Sequence, residues 1–171
     1  MSHAKTFPPP LNDRGPKAVR PGDLLFMIKL NSNPILFSAV RGAVERLTET
    51  LQFTPAQCRS ITRAVDEALS NIVRHSYGNR INQPISLSFR TAQCRHGAKV
   101  RDGLEILLCD RGPAVDMSKL RGRPLEEIRP GGLGLHLIRQ AMDTMEFTRK
   151  GSTNRLRLFK YLARTSKVRR G

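Results

Sequence analysis

Thr54-Pro-Ala-Gln57 opens a stretch that runs through Asp66-Glu67-Ala-Leu-Ser-Asn71-Ile-Val-Arg-His75 to Tyr77-Gly-Asn79, and its reading decides the fold. A capping threonine, proline in the first turn and glutamine three residues on make a capping box, so a helix begins here. Ile61, Val65, Ala68, Leu69 and Ile72 follow at helical spacing as an apolar stripe, and Gly78-Asn79 supplies a left-handed stop. Glu67, Asn71 and His75 stand at i, i+4 and i+8, each displaced by only about 40° from the last, so they share one polar strip beside the stripe. An acid and an amide one turn apart can share a divalent cation and a water or hydroxyl, because hard cations take oxygen ligands. Taken alone, the strip also has the look of a solvated helix face.

Working outward, residues 23–30 form a short apolar run of strand length. Asn33-Pro34 then reads as an N-cap with proline at the first helical position, and Leu36, Val40, Val44, Leu47 and Leu51 recur behind it over about four turns. Downstream, residues 84–90 alternate cleanly and residues 103–109 are almost continuously apolar; the polar stretch 93–102 between them reads as a hairpin loop. The glycine- and proline-rich segment 111–132 precedes a third helix from Leu133 to about Asp143. Two last strands, 145–149 and 155–162, flank a Lys150-Gly-Ser-Thr-Asn154 turn. The order β-α-α-β-β-α-β-β predicts an α+β two-layer sandwich, with helices on one face of a mixed sheet. Residues 1–22, with five prolines, read as a flexible tail, 23–162 as the domain, and 163–171 as a basic tail.

The 171 residues suffice for one domain, and 39% of them are hydrophobic, in short periodic runs, so a packed core is expected. No run of about 18 apolar residues occurs, and residues 1–10 lack the apolar stretch of a secretory signal. A soluble cytoplasmic protein is expected, with no membrane partner. Cys58, Cys94 and Cys109 lack C-x-x-C spacing and read as reduced thiols, and the four histidines show no metal-ligand spacing. The net charge of +16, from 30 Lys+Arg against 14 Asp+Glu, implies an anionic partner. The basic residues are dispersed, however, without interleaved aromatics or zinc-finger spacing, which argues against nucleic acid as the specific partner.

Two further constellations carry chemistry. Asp110-Arg111-Gly112-Pro113 follows the most apolar strand, and a carboxylate at a buried strand end with glycine close behind suits a side chain aimed into a pocket. Such a carboxylate can accept a hydrogen bond from an exocyclic amine like that of adenine; an Asx-type turn is the alternative reading. Arg129-Pro130-Gly131-Gly132-Leu133-Gly134-Leu135 runs straight into a helix, where glycines permit close backbone approach and N–H groups receive phosphate. It is neither a P-loop nor a dinucleotide fingerprint.

In this order, E-x-x-x-N-x-x-x-H on a helix, D-x-G-P after a strand and G-G-L-G-L-H-L-I-R-Q-A-M-D resemble the N-box, G1 box and G2 box of the GHKL ATPases. The nearest likeness is to the anti-sigma factor serine/threonine kinases, whose closing strand–turn–strand pattern Lys150–Asn154 and Arg155–Leu162 also resemble. The likeness covers roughly residues 23–162. It implies a Bergerat-type sandwich that binds ATP and Mg²⁺ and phosphorylates Ser or Thr of a STAS-type anti-anti-sigma protein, with a sigma factor as the other partner. By analogy Glu67 is the general base, Asn71 the Mg²⁺ ligand, Asp110 the adenine acceptor and Gly112 the residue that makes room for the base. Gly131, Gly132, Leu133 and Gly134 belong to the lid over the phosphates, and Arg129 is a candidate for the terminal phosphate. His75 and Tyr77 match the N-box with no assigned chemistry. Ala114 stands where the wider family has a second glycine. Homodimerisation is common in the family. Two rival readings are an ATP-binding switch without kinase activity and a basic nucleic-acid-binding protein.

Overall fold

The computed structural model describes residues 20–97, 99–114 and 133–162. In chain order these form β1 (Leu24–Asn31), a 3-10 turn (Pro34–Leu36), α1 (Phe37–Thr50), α2 (Pro55–Asn71) continued by one π-helical turn (Ile72–Ser76), β2 (Pro84–His96), β3 (Lys99–Asp110), α3 (Leu133–Ala141), β4 (Thr144–Lys150) and β5 (Thr153–Tyr161). The order of elements is the expected one. The capping box is present at both ends of its reciprocal pair: Thr54 accepts from the Gln57 backbone, and Gln57 accepts from the Thr54 backbone.

The five strands lie in the order β1-β2-β3-β5-β4, and every neighbouring pair is antiparallel. This corrects the expected mixed sheet. β3 and β4 do point the same way, as strands joined through a helix tend to, but β5 is inserted between them and turns both pairings antiparallel. On one face, Ile85, Leu87 and Phe89 of β2, Leu104, Ile106 and Leu108 of β3 and Leu158 of β5 meet the helices. Ile61, Val65, Ala68 and Leu69 of α2, Val40 and Val44 of α1 and Ile138 of α3 complete the same core. α2 packs against both α1 and α3, so the helix that carries the polar strip is the middle of its layer. Burying each such Leu, Ile or Val side chain contributes roughly 1.5–3 kcal/mol.

Two boundaries differ from expectation. Asn33 does cap, accepting from the Ile35 backbone at 3.2 Å, but the first turn after it is 3-10 and the α-helix starts at Phe37. The tighter turn rotates Leu36 outward (40% exposed) and puts Phe37 in the core instead (4%). The polar stretch 93–102 is not a loop. β2 and β3 stay paired through Gln93↔Asp102, Cys94↔Arg101 and His96↔Lys99, and the chain reverses at Gly97, whose φ of +59° is left-handed. Polar side chains do not end an antiparallel ladder where each finds a neighbour: Gln93 donates to Asp102, and the Arg101 guanidinium lies 4.4 Å from the centre of the Tyr161 ring.

Candidate active site

Glu67 sits in the last turn and a half of α2, half-buried, between two neighbours. On one side Arg74 Nη2 reaches its Oε1 at 3.1 Å, while the same guanidinium donates through Nε to the Ser70 carbonyl. On the other side lies Gly134, in the first turn of α3. A Cβ built on Gly134 would stand 2.7 Å from the Glu67 carboxyl carbon, so the carboxylate as placed leaves no room for a side chain at 134. The first turn of a helix carries unpaired N–H groups and favours a negative charge beside it. The adjacent acid behaves differently: Asp66 bridges to Arg41 of α1 at 2.8 Å and ties two helices together.

Asn71 ends α2, half-buried, and its side-chain amide makes no hydrogen bond among the described residues. His75 departs from the strip and is exposed. The reason is the π-helical turn, in which the Tyr77 N–H bonds to the Ile72 carbonyl five residues back. The extra residue in that turn rotates position 75 away from Glu67 and Asn71. Gly78 and Asn79 then adopt φ of +56° and +65°, the left-handed stop expected of them.

Asp110 is buried (5% exposed) at the end of β3. Its Oδ1 accepts from the Gly112 N–H at 2.8 Å and from Asn154 Nδ2 at 2.9 Å, while Oδ2 has no hydrogen bond among the described residues. Asn154 is fully buried and also donates to the Pro113 carbonyl at 3.0 Å. Its own oxygen accepts from Arg149 Nη1 at 2.5 Å, and that nitrogen also reaches the Gly112 carbonyl. The register explains the arrangement: Asp110, Asn154 and Arg149 are direct partners across β3, β5 and β4, so they form one polar row on the sheet. One carboxylate oxygen is thereby fixed and the other left over as an acceptor.

The first two constellations touch. A Cβ on Gly112 would lie 2.5 Å from Ser76 Cβ and 2.6 Å from the Ser76 carbonyl oxygen, at the end of the π turn. Tyr77, buried next to it, donates its hydroxyl proton to the Pro84 carbonyl at 2.5 Å and accepts from the Arg111 N–H at 2.8 Å. Burial pushes the Tyr77 phenol up from its ordinary value, partly opposed by that Arg111 hydrogen bond, so it stays a proton donor. A shallow cavity of about 580 Å³ reaches Asp110 and Arg111 but neither Glu67 nor Asn71; Lys29, Asn31, Ser86 and Thr153 line it too.

The helix of the first constellation therefore touches the other two at separate points: Glu67 meets Gly134, and the Asp110–Gly112 turn meets Ser76 and Tyr77. Leu133 opens α3, whereas Arg129, Gly131 and Gly132 lie outside the described residues. Sequence reasoning missed the parts played by Asn154, Arg149 and Arg74. The first had a signal, since Asn154 closes the turn that the family pattern picks out; an arginine reaching a site has none in a chain with so many.

Residues 30–160 match the model of the histidine kinase-like ATPase domain. The chain is 30% identical over 123 residues to Serine/threonine-protein kinase BtrW of Bordetella bronchiseptica, covering 70% of this chain and 77% of that one. It is 26% identical over 127 residues to Serine-protein kinase RsbW of Oceanobacillus iheyensis, covering 70% and 75%. Among solved structures, the SiaB–SiaC complex from Pseudomonas aeruginosa shares the fold, with a TM-score of 0.57 at 15% identity over 80% of this chain and 89% of that one. Among the described residues no helix is long and apolar enough to cross a membrane. These matches place the chain in the histidine kinase-like ATPase family, alongside relatives named as serine- or serine/threonine-protein kinases.

Proposed function

We propose that this chain is an ATP-dependent protein kinase that phosphorylates Ser or Thr of a STAS-type anti-anti-sigma protein and, when that partner is scarce, sequesters a sigma factor. The observation that carries the reading is the contact of Glu67 with Gly134. A carboxylate on the middle helix is held at the opening turn of the helix that the glycine-rich segment leads into. A carboxylate there can take the proton of an attacking hydroxyl while backbone N–H groups of the same turn face phosphate. Phosphoryl transfer asks mainly for positioning and charge neutralisation, so this small set of groups suffices.

Asp110 is the adenine acceptor in this reading. Its Oδ1 is tied to Gly112 and Asn154, which orients Oδ2 for the exocyclic amine, and Gly112 lets the turn pack directly on Ser76. Asn71 would hold Mg²⁺ through its amide oxygen, and the cation when bound would neutralise charge on the nucleotide phosphates. The donor chemistry fits, because the Asn71 amide oxygen is a hard ligand with no hydrogen bond among the described residues. Mg²⁺ commonly takes one or two protein oxygens and completes its shell with phosphates and water. Arg129, Gly131, Gly132, Leu133 and Gly134 belong to the phosphate-facing segment.

The test is transfer from labelled ATP with Mg²⁺ to STAS-type proteins of the same genome. Glu67→Gln keeps shape and polarity and removes the base, so transfer should fall by roughly 10²–10⁴ with ATP affinity nearly kept. Asn71→Ala should lose both transfer and the Mg²⁺-dependent part of ATP binding. Wild-type transfer by Glu67→Gln would overturn the assignment.

A further inference from the structure

The Glu67 carboxylate has two oxygens in unlike surroundings. Oε1 is ion-paired to Arg74 and packed on Gly134, whereas Oε2 has no hydrogen bond among the described residues. Arg74 is itself fixed, because its Nε donates to the Ser70 carbonyl while its Nη2 reaches the carboxylate. On an α-helix, residues seven apart are separated by about 10 Å along the axis, so the contact spans two turns. It is made by a long side chain leaving the π turn just after Asn71. The neighbouring acid, Asp66, pairs with Arg41 of α1 rather than with Arg74.

Stability does not account for this pair. The Arg74 side chain is 50% exposed, and ion pairs so open to water contribute little to folding. Orientation is the more direct consequence. A glutamate side chain has three rotatable bonds, and pinning one oxygen leaves the other pointing in one direction. From these observations we propose that Arg74 is a positioning residue for Glu67: it holds Oε1 so that Oε2 is presented to the hydroxyl of the incoming serine or threonine. This rests on the reading of Glu67 as the base. The proton moves from that hydroxyl to Oε2 as the hydroxyl oxygen bonds to the transferred phosphorus, and ADP leaves with the electron pair of the broken phosphoanhydride bond. Arg74 exchanges no proton.

The experiment compares Arg74→Ala, Arg74→Lys, Glu67→Gln and the double variant Arg74→Ala/Glu67→Gln. Transfer rate, KM for ATP and thermal midpoint are read for each, with the STAS-type protein that accepts phosphate from the wild type. Arg74→Ala should lower kcat about tenfold, with KM for ATP and midpoint unchanged, because positioning is lost while binding is kept. Arg74→Lys should recover activity to within about threefold of wild type, since the contact is a single N–H to one oxygen that a slightly shorter ammonium can also make. In the Glu67→Gln background, removing Arg74 should cost nothing more, as expected of residues that act through one another. If Arg74→Ala is poorly folded, Arg74→Gln repeats the test with a shorter, uncharged side chain that keeps part of the aliphatic stem. Wild-type kcat in Arg74→Ala, or an equal loss with Glu67 already changed, would overturn the positioning role and leave the base intact. Full activity in Glu67→Gln, or no transfer by the wild type, overturns the base and this inference with it.

Discussion

The two ends of the candidate site are built in opposite ways. At the Asp110 end the side chains are interlocked: a buried carboxylate tied through Oδ1, a fully buried Asn154, Arg149 across the sheet and Tyr77 bridging Pro84 and Arg111. At the Glu67 end one half-exposed arginine holds a half-buried carboxylate, and Asn71 is uncommitted among the described residues. A recognition pocket for a rigid heterocycle gains from being fixed beforehand, since less freedom is lost on binding. A transfer centre must admit a metal, phosphates and a protein side chain in turn, so groups with spare hydrogen-bonding capacity belong there. The contrast suggests that changes at the first end act on stability and nucleotide affinity, and changes at the second on rate.

The largest effect that would sharpen this contrast is at Gly112. A methyl group there meets Ser76 Cβ and the Ser76 carbonyl, and backbone cannot swing aside as a side chain can. Gly112→Ala should therefore destabilise the fold by about 3 kcal/mol, the upper part of the usual cost of overpacking. Chemical denaturation without nucleotide measures it. An unchanged midpoint would mean that the junction of the β3 turn with the π turn is loose, and the contrast would fail at its firm end.

Much of this was legible beforehand. The capping box, the apolar stripe of α2 and the left-handed stop at Gly78-Asn79 were readable because each is set by local chemistry. The three constellations were readable as a series, and the helix of the first touches each of the other two. What was hidden depended on contacts distant in sequence. The insertion of β5 between β3 and β4, which makes the sheet antiparallel, is a choice of neighbours that no local pattern records. The π turn, which sends His75 outward, arises where α2 closes onto Pro84 and Arg111, far along the chain. Asn154 looks like any turn residue until the register sets it beside Asp110. Leu36 and Phe37 are adjacent apolar residues, and only the 3-10 turn decides which of them is buried.

A middle-sized effect is expected at Asp110 itself. Asp110→Ala removes the proposed adenine acceptor and one of the acceptors of Asn154 Nδ2, which keeps the Pro113 and Gly112 carbonyls. ATP should bind more weakly by about 1–3 kcal/mol, the cost of leaving a buried polar group unmatched. Calorimetry on wild type and variant decides the matter, with circular dichroism to confirm that both are folded. Equal ATP affinity would remove Asp110 from the nucleotide site and make its bonds to Gly112 and Asn154 purely architectural.

The smallest effect, and the one that most directly separates the two ends, is at Gly134. The methyl group of Gly134→Ala would meet the Glu67 carboxylate, the far end of a side chain that can turn away. The backbone need not move, so stability should stay within about 0.5 kcal/mol, as for most substitutions outside a packed core. The carboxylate, however, would be driven off its contact with α3 and out of line with Arg74. A displaced base loses rate rather than binding, and transfer should drop about tenfold, equivalent to roughly 1.4 kcal/mol in the barrier. Alanine at 112 and alanine at 134 add the same single methyl group, so differences in bulk cannot account for different outcomes. If Gly134→Ala unfolds the protein as Gly112→Ala does, the Glu67 end is as rigid as the Asp110 end. If it leaves transfer untouched, the carboxylate that touches Gly134 is not the one that takes the proton.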